Sequence, residues 1–255
     1  MATFKYRHGG SWVSLPNGTA FKVRHGDAWV NPSKVKVRHG GAWVDAWSKS
    51  DPITLAFECN ASQGWRSTAA WRTDNKVRFG AFDTFGDNLT VLEFSADSTT
   101  GGYTSTSLQE ALAVRSNVTA LKLTLTRGTG GSSTISGSTS ETLLVGQLDK
   151  ANGTSMSTYN AGASVQETNM QTIPASDLQG WSYLSSQTKQ FTFGGSASTL
   201  TGLATHLSTK QMWISEKSSS WIASGGGTST SDIYSVCNGS ADGSGKPVLT
   251  VTMDY

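Results

Sequence analysis

The chain has 255 residues, of which 15% are charged and 36% hydrophobic, and its formal net charge is +2. This length allows one large domain or two small ones, and the hydrophobic content excludes a chain that is disordered throughout. The sequence contains no apolar run near the roughly 18 residues that span a membrane, and Met1 to Lys5 is not followed by an apolar core. We therefore expect neither membrane insertion nor a secretion signal.

The first 45 residues contain one ten-residue phrase three times, at 4–13, 21–30 and 35–44. Each copy alternates apolar and basic residues for four positions, reaches a Gly, and continues with Ala or Ser, Trp and Val. Alternation predicts a half-buried strand, and Gly-Gly or Gly-Asp between two such runs predicts a tight turn. The sequence therefore predicts three N-terminal β-hairpins.

Each predicted hairpin carries an Arg and a Trp on one face. A Trp ring beside a basic side chain gives a cation–π and packing contact. An isolated hairpin is marginally stable in water, and repeat units bury their apolar faces against neighbours. We therefore expect the hairpins to form an attachment or stalk segment within a homo-oligomer. The residues that carry this interpretation are Arg7, Trp12, Arg24, Trp29, Arg38 and Trp43.

The same segment raises two further interpretations, a metal site and a nucleic-acid site. His8, His25 and His39 recur in the three phrases, but no Cys, Asp or Glu accompanies all three, and zinc usually takes three or four ligands. Residues 1–50 carry a net charge of +6 and residues 51–255 a net charge of −4. Because the basic residues alternate along strands and are interleaved with Trp, a solvated face explains them. We expect no metal, no cofactor and no nucleic-acid partner.

Residues 48–52 are predicted to be a linker, and short strands separated by turn clusters follow. Ser107 and Glu110 match a capping box at the start of one of two predicted helices. Short strands at this spacing predict a jelly-roll-like β-sandwich over 53–255 after the hairpins of 1–47, so the fold class is all-β. Strands are predicted at 53–59, 76–82, 89–94, 118–126, 189–193, 211–216, 233–237 and 247–253, a brief buried run at 143–146, a loop at 128–140, and helices at 107–114 and 199–207.

Two cysteines lie in similar surroundings, Cys59-Asn60-Ala61-Ser62 and Cys237-Asn238-Gly239-Ser240. They stand near the start and the end of the large domain, and the first and last strands of a sandwich are often neighbours. A disulfide and a pair of buried free thiols fit this pattern equally well.

The order of motifs in the large domain resembles a known family. Residues 75–94 hold a Val-Arg-Phe-Gly strand, a turn and a Leu-Glu-Phe strand, residues 111–125 a helix end and a Leu-rich strand, and residues 245–252 read Gly-Lys-Pro-Val-Leu-Thr-Val-Thr. This succession resembles the DNRLRE-type β-sandwich, which is similar to a carbohydrate-binding module and also ends minor tail proteins of phages that infect actinobacteria. The phrase Arg-His-Gly-Gly-Ala-Trp-Val at 38–44 is similar to short repeats of the same tail proteins.

The resemblance implies a virion protein, a minor tail or fibre component that is assembled in the host cytoplasm. It implies a homotrimer whose residues 1–47 contact other virion proteins and whose sandwich binds a host-surface glycan. Sugars stack on aromatic rings, and sandwiches usually place binding residues in loops. The glycan-binding candidates are therefore Tyr103, Trp181, Tyr183 and Trp221.

No catalytic motif stands out, so we expect no enzyme and assign no catalytic residue. The run from Gly239 to Lys246 lacks the spacing of a phosphate-binding loop. His206 has no Asp nearby in sequence, and glycoside hydrolysis needs two facing carboxylates. Two alternatives to a glycan-binding protein remain, which are a purely structural capsid decoration or tail-tip protein without a ligand and a polysaccharide-degrading enzyme.

Overall fold

The fold is described from a computed structural model. The residues that it describes are 4–8, 10–15, 23–25, 27–30, 34–48, 51–66, 75–81, 87–100, 106–131, 142–154, 171–174, 177, 187–215 and 235–254.

Three separate antiparallel hairpins form at the N-terminus, as the repeated phrase predicts. Their strands are β1 (Phe4–His8) with β2 (Ser11–Leu15), β3 (Val23–His25) with β4 (Ala28–Val30), and β5 (Lys34–His39) with β6 (Ala42–Ser48). In the third hairpin, Gly40 and Gly41 have φ angles of 58° and 84°. Two successive positive φ angles are what a two-residue turn of this kind requires, and Gly adopts them without strain.

The described part of the large domain contains eleven strands and two helices of regular length. The strands are β7 (Ile53–Glu58), β8 (Ala61–Arg66), β9 (Val77–Ala81), β10 (Asp87–Glu93), β11 (Asn117–Gly131), β12 (Thr142–Ala151), β13 (Gln171–Pro174), β14 (Thr188–Thr192), β15 (Lys210–Ser215), β16 (Ser235–Cys237) and β17 (Val248–Asp254). The helices are α1 (Leu108–Val114) and α2 (Ala197–Leu207). Neither helix of this described part has the length and the apolar content that a bilayer span requires.

The eleven strands form one curled antiparallel sheet, which confirms the all-β class. Its order is β13-β12-β15-β10-β9-β16-β11-β17-β7, with β14 also paired to β11 and β8 also paired to β10. The short strand β16 pairs with β9 on one side and with β11 on the other. It therefore joins the two halves of the sandwich-like domain into a continuous sheet.

The core lies between these halves. Strict alternation along the strands directs every second side chain into it. On β11, Leu121, Leu123 and Leu125 are fully buried, while Lys122 and Thr124 between them are not. Leu121 and Leu123 stand opposite Val251 and Leu249 of β17. Helix α2 packs against β11 and adds Leu200, Leu203 and Leu207 to the same core.

Strand β10 is buried on both of its faces. Leu92 belongs to the central core, whereas Val91 and Glu93 point to the opposite face. There Val91 stands opposite Trp213 of β15, which is also fully buried. Glu93 therefore sits at the end of a buried row on the outer face of this half of the sheet.

The structure differs from the sequence prediction at several strands. Strand β8 was not expected, because its buried positions hold Ser62 and Gly64 rather than large apolar residues. The prediction of a loop from residue 128 is wrong at its start, since β11 continues to Gly131 and pairs there with Ser235. Strand β12 is also longer than the predicted run at 143–146. The division into domains at 47 and 53 stays a prediction.

Candidate functional site

The four aromatic residues predicted to bind glycan, Tyr103, Trp181, Tyr183 and Trp221, lie outside the described residues. In the hairpins the backbone pairs each Arg directly with its Trp: Arg7 with Trp12, Arg24 with Trp29, and Arg38 with Trp43. Arg38 is exposed, and Trp43 is 68% exposed. The predicted shared face of Arg and Trp is thus present in the strand register, while its role in attachment stays a prediction.

A polar groove of about 440 Å³ opens in the large domain. It lies where the start of β8, the end of β10 and the turns after β12 and β16 meet. Seven of its nine lining residues have polar side chains, so it is suited to a ligand rich in hydrogen-bonding groups. The lining residues are Asn60, Ala61, Ser62, Gln63, Asn75, Glu93, Gly153, Thr154 and Ser240.

The two Cys-Asn-Xaa-Ser motifs meet beside this groove through their serines. The backbone N–H of Ser62 donates to Oγ of Ser240 at 3.0 Å, and the backbone N–H of Ser240 donates to Oγ of Ser62 at 2.8 Å. The two hydroxyl oxygens are 3.1 Å apart. This reciprocal contact joins positions 178 residues apart in the chain. The likeness of the two Cys-Asn-Xaa-Ser motifs in the sequence therefore corresponds to a contact between their serines.

The cysteines themselves are buried free thiols, so the predicted alternative of a disulfide is not present. Sγ of Cys59 donates to the carbonyl of Ala61 at 3.0 Å, and burial raises the pKa of this thiol to about 12. Cys237 lies in β16, where it is paired with Arg127 and Val77 on the flanking strands. The strands bring the motifs together, but each cysteine is fixed by its own neighbours.

Among the described residues that line the groove, Glu93 is the one that carries a charge, and it is 4% exposed. Its carboxylate accepts four hydrogen bonds from neutral donors. On Oε1 the donors are Asn60 Nδ2 at 2.8 Å and Ser95 Oγ at 2.6 Å, and on Oε2 they are Gly153 N at 2.7 Å and Gln211 Nε2 at 2.9 Å. Burial acts to raise the pKa of Glu93, but these four hydrogen bonds outweigh it and lower the pKa below its ordinary value.

The wall of the groove depends on a close approach between Gly239 and the backbone of Asn75. A β-carbon on Gly239 would lie 1.6 Å from the carbonyl oxygen of Asn75, so only glycine fits. Asn75 has a φ of 53°, a conformation that Asn adopts more readily than most residues. The Ser62 hydroxyl donates to that same carbonyl, and the N–H of Gly239 donates to Asp242 Oδ2 at 2.7 Å. The first bond joins β8 to the segment before β9, and the second closes the turn after β16.

Trp65 is the described aromatic residue that continues the groove along its strand. Ala61 and Gln63 line the groove, and Trp65 follows on the same face of β8, partly exposed. Two residues along a strand cover about 7 Å, which is the scale of one sugar ring to the next. Trp65 was not among the predicted site residues, because β8 was not predicted.

A second groove, of about 410 Å³, is more apolar and lies beside α1. Val114, which is 65% exposed, lines it together with Ile53 and Leu55 of β7. The Arg115 guanidinium, also in its wall, donates to the carbonyl of Asp51 at 2.8 Å. Arg115 thus fixes the chain where it enters the large domain from the hairpins.

Carboxylates are sparse in the described lining of the polar groove. Within the described residues it presents one carboxylate, whereas glycoside hydrolysis uses two. The pKa of Glu93 is lowered, because the hydrogen bonds stabilise its ionised form. Both of its oxygens are already occupied by donors, which also makes it a poor nucleophile.

The remaining predicted chemistry can be placed for the described part of the chain. Nε2 of His206 lies 3.1 Å from the carbonyl of Leu148 and 3.0 Å from that of Gln211, which is the geometry of a structural donor. Burial lowers the pKa of His206. The described residues contain no group of three or more His, Cys, Asp or Glu that could hold a metal ion.

No protein-family model matches the chain, and no curated protein matches it at a significant level.

Proposed function

We propose that this chain is a phage virion protein, a minor tail or fibre component, whose large domain binds a host-surface glycan in the polar groove. The observation that carries the proposal is the groove itself, lined by amide and hydroxyl groups from Gln63, Thr154 and Ser240. Sugar hydroxyl groups both donate and accept hydrogen bonds, as these side chains do. The sequence resemblance to tail proteins supplies the virion setting.

The groove is held ready for such a ligand by its own hydrogen bonds. Glu93 is fixed by four donors, and Ser62 and Ser240 fix each other. A preformed site loses little conformational entropy on binding, which favours affinity for a flexible oligosaccharide. Trp65 offers an aromatic face beside the groove for a second sugar ring.

The hairpins are the proposed means of attachment to other virion proteins. Their cross-strand Arg and Trp pairs recur three times, and the exposed Trp43 ring is a large apolar surface that a partner can bury. A homotrimer mounted through residues 1–47 would present three grooves at once. Three weak sites that engage one surface give an avidity far above that of one site.

Binding of the purified full-length chain to isolated host cell-wall glycan tests the proposal. We expect saturable binding that Gln63→Ala and Trp65→Ala each weaken at least about tenfold, the loss of one good contact. Gln190→Ala provides the matched control, because Gln190 is exposed on β14, away from the groove-lining residues. Circular dichroism and the thermal midpoint would show that each variant remains folded.

The two alternative functions give different results in the same assay. No binding by the folded wild-type chain would contradict glycan adhesion and leave a purely structural virion protein. Release of reducing ends during incubation would instead identify a polysaccharide-degrading enzyme. The described lining of the groove holds one carboxylate, which is already occupied by donors, so we expect no such release.

A further inference from the structure

We infer that the polar groove selects uncharged sugars and rejects acidic ones, an inference that rests on the glycan-binding function proposed above. The carrying observation is that a single buried carboxylate, Glu93, lines the groove and that no Lys, Arg or His of the described residues lines it. The charge of the groove determines which class of glycan it accepts.

The hydrogen bonds to Glu93 leave its negative charge in place. All four of its donors, Asn60, Ser95, the Gly153 backbone and Gln211, are neutral. Neutral donors stabilise the ionised carboxylate but do not cancel its charge. The described lining residues therefore carry a charge of −1 at neutral pH.

Three lysines of the described residues are paired with acids. Lys76, next to the lining residue Asn75, forms an ion pair with Asp242. Lys210 and Asp149 form a second ion pair, and Lys246 lies 3.9 Å from Glu58. Each pair has no net charge, so none of them offsets Glu93.

An acidic sugar would meet two penalties in this groove. Its carboxylate or phosphate would be repelled by Glu93, and the repulsion is stronger in a partly enclosed site than in water. It would also lose water without gaining the charged donor, most often an Arg, that proteins use to bind planar anions. Uncharged sugar hydroxyls meet neither penalty, because the amide and hydroxyl groups of the groove bind them directly.

The test uses a matched pair of ligands. An array of neutral, N-acetylated, uronic, sialylated and phosphorylated oligosaccharides is first probed with the full-length chain to find the best neutral binder. Its dissociation constant is then compared with that of the same oligosaccharide after oxidation of C6 hydroxymethyl groups to carboxylates. We expect the oxidised form to bind at least about tenfold more weakly at low salt. The difference should shrink at high salt, because ions screen the repulsion.

A charge added to the groove gives an independent measurement. Gln63→Lys places a cation among the lining residues and is expected to reduce the tenfold difference between the two ligands. Gln190→Lys makes the same chemical change at an exposed position of β14, and we expect it to leave the difference unchanged. An equal effect of both variants would show that net charge, rather than the groove, sets the preference.

The outcomes separate this inference from the function on which it rests. If the wild-type chain binds the acidic form as tightly as the neutral form, or more tightly, the selectivity is wrong while glycan binding stands. If no oligosaccharide or host glycan is bound by the folded chain, the proposed function fails and the selectivity fails with it. Neutral binding that is unaffected by Gln63→Lys and by Trp65→Ala would place the glycan site elsewhere and overturn the inference.

Discussion

At the scale of single residues, the groove depends on one glycine. We predict that Gly239→Ala destabilises the domain by about 2 kcal/mol or more, because the new methyl group cannot fit against a backbone atom without moving the loop. The β-carbon would lie 1.6 Å from the Asn75 carbonyl oxygen. Glycan binding should be lost with the groove wall. Chemical denaturation measures the free energy of unfolding, and the binding assay measures the second effect.

Gly243 supplies the control within the same loop. A β-carbon there meets nothing within 4 Å, and its φ lies outside the left-handed region. Gly243→Ala should therefore change stability by less than about 1 kcal/mol, in either direction. Similar losses for both variants would mean that the contact between Gly239 and Asn75 is not as close as the structure shows.

The lowered pKa of Glu93 predicts that the stability of the protein depends on pH. Its pKa in the folded protein lies below the ordinary value of 4.5, so the ionised form favours the folded state. This contribution is fully present above pH 4.5 and is lost as the pH falls through the lowered pKa. Glu93→Gln removes it at every pH. We therefore expect the difference in unfolding free energy between wild type and Glu93→Gln to be largest near neutral pH and to shrink below pH 4.5.

Other carboxylates with lowered pKa values, Asp149 and Glu110, are present in both proteins and cancel in this comparison. The measurement is denaturant unfolding at a series of pH values from 7 to below 4. A difference that stays constant over this range would show that Glu93 acts through packing rather than through its charge.

The residues of the groove were only partly visible in the sequence. The likeness between Cys59-Asn60-Ala61-Ser62 and Cys237-Asn238-Gly239-Ser240 was apparent in the sequence. It was interpreted in terms of the two cysteines, because a pair of cysteines can form a disulfide. In the structure the serines make the contact. A backbone-to-hydroxyl bond has no sequence signature of its own, since serine fits many surroundings. In the sequence, Glu93 likewise could not be distinguished from the other acidic residues. Its four hydrogen-bond donors are visible only in the fold.

At the scale of secondary structure, local signals were sufficient for the helices. The structure confirms the capping box predicted for α1: the Glu110 N–H donates to Ser107 Oγ at 3.2 Å, and the Ser107 N–H donates to Glu110 Oε2 at 2.9 Å. Both bonds form within four residues, so no distant contact is needed to predict them. Strand β8 is the contrasting case, because the burial of Ser62 and Gly64 depends on strands far along the chain.

The capping box gives a prediction for α1. Ser107→Ala removes the acceptor for the Glu110 N–H and should lower the free energy of unfolding by about 1 kcal/mol. Ser116, exposed just after the helix and without a capping role, is the matched control. Ser116→Ala should change stability by less than about 0.5 kcal/mol. Equal values for the two variants in urea unfolding would show that the cap does not stabilise the native state.

At the scale of the whole molecule, the fold class followed from alternation but the strand order did not. The buried residues Leu121, Leu123 and Leu125 recur with the period of a strand. This alternation can be recognised within a few residues of sequence. The pairing of β16 with both β9 and β11 joins segments that are more than 100 residues apart. Which edges meet depends on the packing of the entire core, so it has no local signal. The single curled sheet could therefore be seen only in the structure.

We predict that the chain forms a homotrimer, in which neighbouring chains cover surfaces that one chain leaves exposed. Trp43 is 68% exposed, and the register places Trp12 and Trp29 at the same position of their hairpins. An exposed aromatic ring such as that of Trp43 is stabilised when a neighbouring chain buries it. We expect sedimentation of the full-length chain to give three times the 27.0 kDa of one chain. Changing all three Trp residues to Ser should give the monomer, because the apolar contact is removed while the turn glycines remain.

Val114→Ser distinguishes the hairpins from the other exposed apolar site. Val114 is 65% exposed in the groove beside α1, so its loss removes a comparable apolar contact outside the hairpins. If the hairpins hold the trimer, Val114→Ser leaves the mass unchanged. If Val114→Ser yields the monomer and the triple Trp variant does not, association runs through the large domain. A wild-type chain that sediments as a monomer at every concentration would contradict the trimer, and the avidity expected from three grooves would then require several copies mounted separately on the virion.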